Sequence, residues 1–363
     1  MLDLNNFMNT GIMNIANTAK QFYSGNRRGQ AFLRSLLSST RASAKIREQY
    51  EREGTHIPPF LIASIAADCN LHCTGCYAWA NGGCGDGGKA REQMSASDWR
   101  RIFGEASDLG VSFILLAGGE PLMRREIIEL AAEYENIVFP VFTNGTMIDD
   151  NSLALFDDHR NLIPVLSIEG NEAQTDRRRG KGVSKIITDT AAKFKDRGIL
   201  YGASITVTSE NKNDVTDGAF VRNLQERGCG LVFYVEYVPA EEHTENLALN
   251  CGELRELQTG IDALRNDKRN KGIILLSFPG DEEALGGCLA AGRGFFHVNA
   301  AGGAEPCPFS PYSEVNLKHR TILEALQSPF FGKVRRISAA GASDHSGGCT
   351  LFQLENEVRQ ALL

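Results

Sequence analysis

The chain has 363 residues, a net charge of −7, and an ordinary share of hydrophobic (42%) and charged (23%) residues. This length suffices for one large core or for a core plus a smaller domain, and the acidic balance argues against a general nucleic-acid-binding surface. No apolar run reaches the roughly 18 to 20 residues that would span a bilayer, and the N-terminus lacks the features of a signal peptide. We therefore expect a cytoplasmic protein that binds no nucleic acid.

Residues 1–58 are predicted to form a helical N-terminal extension. Between residues 20 and 47 there are seven basic residues and no acidic one. Five apolar side chains are interleaved among them: Phe22, Phe32, Leu33, Leu36 and Leu37. Such a helix could make weak contact with an anionic membrane surface or hold an acidic substrate. The interpretation we favour is a helix packed on the main domain with its basic face in solvent.

Six short apolar runs then alternate with helix-like segments. The runs cover residues 61–67, 111–118, 137–143, 162–168, 202–208 and 231–238. Helices are predicted between them, for example over Ser97–Leu109, Arg124–Glu135 and Ser184–Lys195. This alternation predicts an α/β fold with a parallel sheet or barrel, whose ligands bind at the carboxyl ends of the strands. Residues 246–284 are predicted to be a linker helix with one more strand at 272–278.

Three of the nine cysteines lie just after the first predicted strand, in the stretch CNLHCTGCY. Cys69, Cys73 and Cys76 have the spacing C-x3-C-x2-C, and clustered cysteines in a reducing compartment more often bind metal or do redox work than form disulfides. A zinc site would more naturally show two cysteine pairs or a histidine partner. Three thiolates on one loop instead suit three irons of a [4Fe–4S] cluster, which leaves one iron open to a small molecule.

This stretch resembles the CxxxCxxC signature of radical S-adenosylmethionine (SAM) enzymes, and further motifs match that family in order over roughly residues 60 to 240. The resemblance implies a partial (β/α)6 TIM-like barrel of parallel strands over residues 59–245. It also implies that the open iron chelates SAM, so that Cys69, Cys73 and Cys76 are both metal ligands and catalytic residues.

The resemblance further implies a set of SAM-binding residues at the strand ends. Gly118-Gly119-Glu120-Pro121 is similar to the family's GGE motif, whose Glu and backbone hold the methionine amino group, although alone it would be an ordinary turn. Glu169 stands where many relatives have Asp. Residues 177–180, RRRG, either lie near the substrate or form a solvated basic loop. The complete set is Tyr77, Gly118, Gly119, Glu120, Pro121, Asn144, Ser167, Glu169, Ser204 and Val238.

A second cysteine group lies in the last part of the chain, where residues 285–363 are predicted to form a small Gly- and Cys-rich module. Cys288, Gly302 and Cys307 form a C-x13-G-x4-C pattern that resembles the opening of the SPASM and twitch domains of radical SAM enzymes. Cys349 resembles the late ligand of their auxiliary [4Fe–4S] cluster. Either a fourth ligand comes from elsewhere or one iron is open to substrate. Cys84, Cys229 and Cys251 match no pattern and are interpreted as free thiols.

The resemblance implies reductive cleavage of SAM to a 5′-deoxyadenosyl radical that takes a hydrogen atom from a substrate C–H bond. The auxiliary cluster would transfer electrons, anchor the substrate, or only staple the module. The substrate could be a peptide, a tetrapyrrole, a lipid or a small metabolite, and the electron donor a flavodoxin or ferredoxin. Two alternatives remain: an iron–sulfur scaffold or electron carrier that never cleaves SAM, and a zinc-stapled binding protein.

Overall fold

A single mixed sheet of ten strands organises the molecule. The structure, a computed structural model, describes residues 20, 23, 27–85, 92–341 and 349–363. Strands β1 to β7 are Phe60–Ala66, Phe113–Gly118, Phe139–Thr143, Leu162–Ile168, Tyr201–Val207, Cys229–Glu236 and Ile274–Phe278. They pair in chain order and all run parallel. Their carboxyl ends therefore share one edge, where parallel α/β sheets bind ligands.

Helices connect successive strands, as the alternation of apolar runs and helix-like segments predicts. Helices α2 to α10 are Tyr77–Ala80, Ala96–Asp108, Arg125–Ala132, Asp150–Asp158, Glu172–Arg179, Val183–Asp196, Lys212–Val215, Gly218–Glu226 and Cys251–Asn266. Several begin at a side-chain cap: Ser95 and Asn171 each form a capping box with the residue three positions on. Such caps satisfy backbone N–H groups that the first helical turn leaves without partners.

The N-terminal helix α1 (Arg27–Arg52) covers one end of this sheet. Leu33 and Leu36 are buried with Tyr23 against side chains from β2, β4 and β6 and their preceding loops, including Phe113, Ile163 and Leu231. This packing supports the interpretation of a helix docked on the main domain. Contact with a membrane surface stays a prediction, and Phe22 lies outside the described residues.

The C-terminal segment extends the same sheet from the outer edge of β1. Strand β8 (His297–Val298) pairs parallel with β1, and β9 (Gly303–Glu305) and β10 (Val315–Asn316) continue antiparallel. A buried hydrogen-bond chain joins the strands: Ser64 Oγ and His297 Nε2 are 2.7 Å apart, and His297 Nδ1 lies 2.7 Å from Glu305 Oε2. The last helices, α11 to α14, are Ile322–Leu326, Pro329–Gly341, Thr350–Gln353 and Glu355–Ala361.

The predicted fold class is confirmed. All six predicted strands form within two residues of their expected bounds, and the further strand expected at 272–278 is β7. The division into an extension, a barrel, a linker and a C-terminal module stays a prediction. Among the described residues, none of the helices is both long and apolar enough to cross a membrane.

Candidate functional site

The first cysteine loop leaves β1 at the carboxyl edge of the sheet and is held there by its backbone. The Cys69 N–H donates to the carbonyl of Gly85 (3.1 Å), and the Thr74 N–H donates to the carbonyl of Arg178 (3.1 Å). Gly75 has a φ of +68°, and a Cβ at this position would overlap the Tyr237 ring. Glycine is therefore required between the last two cysteines, because it alone combines this backbone conformation with so close a neighbour.

The three thiols of this loop have environments suited to thiolate ligands. The backbone N–H of Leu71 is hydrogen-bonded to Cys69, and those of Trp79 and Ala78, in the first turn of α2, to Cys76. A hydrogen bond from Cys84 lowers the pKa of Cys76 to about 6, whereas burial raises the pKa of Cys69 to about 11. Donors to sulfur stabilise cluster thiolates and tune their redox potential.

The arrangement does not resemble a mononuclear metal site. Across the described ranges, no three His, Cys, Asp or Glu side chains are placed to hold a single metal ion. The ligands of a [4Fe–4S] cluster each bind a different iron, so they stand further apart than the ligands of one zinc ion. Three thiols, two of which accept backbone hydrogen bonds, fit the ligand set of such a cluster.

Gly118, the last residue of β2, and Gly119 after it pack against the backbone that leads into this loop. Gly118 has a φ of +123°, and a Cβ there would overlap the carbonyl oxygen of Ala66. A Cβ on Gly119 would overlap the carbonyl of Asp68, which also accepts the Glu120 N–H (2.8 Å). Their small size lets the strand end meet the backbone that leads into Cys69. The sequence suggested only an approach to a ligand, so this packing role was missed.

Glu120 is 1% exposed and joins the ends of β2 and β3. Its Oε1 accepts hydrogen bonds from Thr143 Oγ1 (2.7 Å) and the Leu122 N–H (3.1 Å), and its Oε2 accepts from the Asn144 N–H (2.8 Å). Burial raises the pKa of the carboxyl. A carboxylate offers about four lone-pair positions. Three are used here, which leaves room for one further donor.

Asn144 links the same strand end to the cysteine loop. Its Nδ2 donates to Asn70 Oδ1 (2.9 Å), and its Oδ1 accepts from the Thr146 N–H (2.9 Å). Asn70 follows Cys69 directly, so the predicted residues Glu120 and Asn144 support the loop that carries the first thiol.

Glu169, directly after β4, forms ion pairs with two arginines that lie next to the first cysteine loop. Its Oε1 accepts from Arg178 Nη1 (2.6 Å) and Arg179 Nη2 (2.6 Å), and the Arg179 guanidinium lies 4.0 Å from Cys73 Sγ. Arg178 also donates to Thr206 Oγ1 (3.0 Å). Glu169 Oε2 is buried and has no hydrogen-bond partner. A buried orphan acceptor is costly, and a ligand donor would satisfy it.

The remaining predicted residues lie around this edge. Ser167 and Ser204 are direct neighbours across β4 and β5, Pro121 begins a 3₁₀ turn (Pro121–Arg124) after β2, and Val238 is buried just beyond β6. A cavity of about 150 Å³ is lined by Thr74, Glu169, Arg178 and Asn211, among others. Of the predicted SAM-binding residues, Glu169 is the one that lines this cavity.

The second cysteine group also converges. Cys349 is hydrogen-bonded to Cys307, and Cys288 interacts electrostatically with both of them, so the three thiols are neighbours. Each thiol accepts a hydrogen bond from the backbone N–H of the residue two positions later in the chain. Cys288 accepts from Ala290, Cys307 from Phe309 and Cys349 from Leu351. Burial raises the pKa of Cys288 and Cys307 far above the ordinary range for a thiol. The donor set again suits cluster thiolates.

Two buried carboxyls beside this group were not identified from the sequence as part of it. Burial, reinforced by the charge of Cys349, raises the pKa of Glu282 to about 8. Burial and the neighbouring Asp281 raise the pKa of Glu236 to about 7. No motif in the sequence marks Glu282.

The other cysteines differ in their surroundings. Cys84 lies against Cys76 and is 1% exposed. Cys229 is buried with its Sγ 3.2 Å from the Leu231 carbonyl, and Cys251 is exposed at the start of α10.

Part of the chain matches a known protein family. Residues 64–217 match the model of the radical SAM superfamily. The probable GTP 3′,8-cyclase of Methanothermobacter thermautotrophicus is 40% identical over 96 residues, 25% of this chain and 29% of the relative. Fe-coproporphyrin III synthase of Methanosarcina barkeri is 26% identical over 160 residues, 43% of this chain and 39% of the relative. These matches thus span less than half of either relative.

The fold has a counterpart among solved structures. The crystal structure of Streptococcus suis SuiB bound to S-adenosylmethionine superposes with a TM-score of 0.65 at 18% identity, covering 81% of this chain and 72% of that one. The match over residues 64–217 agrees with the motifs of the sequence, which predict a radical SAM domain there. The predicted cofactors, a [4Fe–4S] cluster with SAM and an auxiliary cluster, agree with this match.

Proposed function

We propose that the chain is an enzyme that reductively cleaves SAM and uses the product radical to abstract hydrogen from a substrate C–H bond. The observation that carries the proposal is the meeting, at one sheet edge, of the Cys69–Cys76 loop with Glu120, Asn144 and Glu169. When bound and reduced, the cluster and SAM together supply a 5′-deoxyadenosyl radical. The protein binds both, orients the substrate and excludes water.

The chain's own residues divide this work. Cys69, Cys73 and Cys76 hold three irons, and the guanidinium of Arg179 stabilises the charge of Cys73. Glu120 has a free acceptor position for the methionine ammonium, a charge-assisted hydrogen bond. The orphan Oε2 of Glu169 accepts a hydrogen bond from a ligand hydroxyl such as those of ribose. Ser167 and Ser204, which are neighbours across β4 and β5, and Val238, just beyond β6, are assigned to SAM binding by the resemblance.

Cys288, Cys307 and Cys349 would hold a second cluster, which would supply electron transfer or a point of attachment for the substrate. The charge of Cys307 acts on Tyr77, the neighbour of Cys76, so the two groups lie on either side of one residue. This closeness favours a role in the reaction over a purely structural staple.

The substrate is a peptide, a tetrapyrrole or another small molecule. The solved SuiB structures include a complex with its precursor peptide SuiA, and one relative is named a PqqA peptide cyclase, whereas others are named for coproporphyrin and heme synthesis. A flavodoxin or ferredoxin supplies electrons. Contact of α1 with a membrane surface stays part of this proposal.

Anaerobic reconstitution with iron and sulfide, followed by SAM and dithionite, tests the proposal. We expect about seven to eight irons per chain from two [4Fe–4S] clusters, together with formation of 5′-deoxyadenosine and methionine. Cys73→Ala should abolish 5′-deoxyadenosine formation, whereas Cys251→Ala, at an exposed position, should not. An iron-loaded wild-type chain that leaves SAM intact would favour the scaffold or electron-carrier alternative.

A further inference from the structure

The second cysteine group has three thiols, one fewer than the irons of a [4Fe–4S] cluster. Among the described residues, the remaining cysteines are accounted for elsewhere: Cys84 lies against Cys76, Cys229 lies within β6, and Cys251 is exposed. A fourth protein ligand would therefore have to be another oxygen or nitrogen donor beside the thiols.

Glu282 occupies such a position. It lies in a 3₁₀ turn (Gly280–Leu285) just before Cys288 and is 5% exposed. The N–H of Leu289, the residue after Cys288, donates to its carboxylate. Its charge acts on Cys288 more strongly than that of Cys349 does. The carboxylate is therefore a neighbour of the Cys288 thiol.

One oxygen of this carboxylate has no protein partner. Glu282 Oε1 is buried without any hydrogen bond, and leaving a buried acceptor unpaired costs about 1 to 3 kcal/mol. Ligation to a cation would satisfy this oxygen and also stabilise the buried charge.

The neighbouring carboxyls are less suited to the same role. Asp281 Oδ2 is already bound by Arg265 Nη2 (2.7 Å) and the Ser277 N–H (2.8 Å). Glu236 interacts with Asp281 and accepts the Gly280 N–H. Glu283 is exposed.

The turn that carries Glu282 is fixed in place. The Gly287 N–H donates to the Glu282 carbonyl (2.9 Å), and the Arg293 guanidinium binds the carbonyls of Gly287 (2.7 Å) and Cys288 (3.0 Å). Carboxylate and thiol are therefore held by one short, hydrogen-bonded segment, a geometry that suits preorganised ligands.

We propose that Glu282 is the fourth protein ligand of the auxiliary cluster, so that this cluster has no iron open to substrate. This inference rests on the proposed function, since it requires a cluster at Cys288, Cys307 and Cys349. It assigns the auxiliary cluster to electron transfer and leaves substrate binding to the cavity side of the sheet.

The test uses the full chain with Cys69, Cys73 and Cys76 changed to Ala, so that only the auxiliary cluster remains. This parent and its Glu282→Gln, Glu282→Cys and Glu283→Gln derivatives are reconstituted anaerobically and analysed for iron and sulfide. Each is then reduced and its electron paramagnetic resonance spectrum is recorded with ¹³C-cyanide, a probe of open iron. Glu283→Gln is the matched control on the exposed face of the same turn.

We expect about four irons in the parent and no ¹³C hyperfine coupling, because no iron is open. Glu282→Gln should either show the coupling or lose its cluster, whereas Glu282→Cys and Glu283→Gln should behave like the parent. Cyanide coupling in the parent equal to that of Glu282→Gln would overturn the ligand assignment alone. Loss of the cluster in both Glu282 variants would also overturn it. An absence of iron from the parent would overturn the auxiliary-cluster part of the proposed function as well.

Discussion

The ring of Tyr77 meets the ring of Phe309 edge to face, with centroids 5.1 Å apart. Tyr77 follows Cys76 and Phe309 comes two residues after Cys307, whose thiol accepts the Phe309 N–H. One aromatic contact thus joins the two cysteine groups. Edge-to-face pairs contribute about 0.5 to 1.5 kcal/mol beyond the area they bury, so this contact fixes the distance between the groups.

We expect Tyr77→Ala to destabilise the chain by about 2 to 3 kcal/mol, because it removes a largely buried ring. It should also loosen the auxiliary site, which would appear as iron lost from Cys288, Cys307 and Cys349 before iron is lost from the first group. Anaerobic thermal unfolding and time-resolved iron release measure both effects. Tyr77→Phe keeps the ring and is the control. Equal iron release from both variants would contradict a role for the ring contact.

Glu120 gives a second prediction. Glu120→Gln replaces one carboxylate oxygen by an amide that can only donate, so it must face either the Asn144 N–H or the donors at Oε1. Leaving one buried donor unpaired should cost about 1 to 3 kcal/mol. Thermal unfolding of the cluster-loaded protein measures the loss. Glu129→Gln, on the exposed face of α4, should leave the unfolding temperature unchanged. An equal unfolding temperature for the two variants would contradict the conclusion that Glu120 links the ends of β2 and β3.

Those parts of the fold and of the candidate site that leave a local pattern in the sequence could be predicted from it. The strands were predictable because β-branched and aromatic runs are bounded by polar segments, as in LIPVLSI of β4. The short strands β8 and β10, two residues each, carry too little pattern to be found. The CxxxCxxC and GGE motifs located the first site because they are local in sequence.

The ion pairs of Glu169 and the buried carboxyls beside the second cysteine group could not be predicted in the same way. Glu169 meets Arg178 and Arg179 only because α6 turns back over the end of β4. The sequence therefore left the RRRG run open as a possible solvated loop. Glu282 is one of three acidic residues in the run GDEEAL, and nothing in the sequence distinguishes it from the others. Tertiary packing buries Glu282 and leaves Glu283 exposed.

Glu169→Gln tests the first of these ion pairs. The substitution removes the negative charge that holds Arg178 and Arg179, and it alters the buried Oε2, which we propose accepts a hydrogen bond from SAM. Hydrogen bonds to charged groups contribute about 1.5 to 3 kcal/mol, so the Kd for SAM should rise by about 10- to 100-fold. Anaerobic equilibrium dialysis against cluster-loaded protein measures it. Glu172→Gln, exposed on α6, is the control, and identical affinities for the two variants would rule out the assignment of Glu169.

Glu236 gives a prediction about pH. Burial and the charge of Asp281 raise its pKa from 4.5 to about 7, and a hydrogen bond from the Gly280 N–H opposes this shift only partly. Glu282 and Cys349 are its other titratable neighbours. Between pH 4.5 and pH 7 the folded chain therefore binds more protons at Glu236 than the unfolded chain does, so the stability from this group is present at low pH and falls as pH rises.

The full loss amounts to about 3 kcal/mol, since one pKa unit corresponds to about 1.4 kcal/mol. Glu236→Gln cannot ionise, and its amide oxygen can still accept the Gly280 N–H. Its stability relative to the wild type should therefore increase between pH 5 and pH 8, by up to that amount. Anaerobic unfolding midpoints of the two proteins across this range measure the difference. A difference that stays constant with pH would show that the folded-state pKa of Glu236 is not raised, and that solvent or a bound cation reaches its carboxylate.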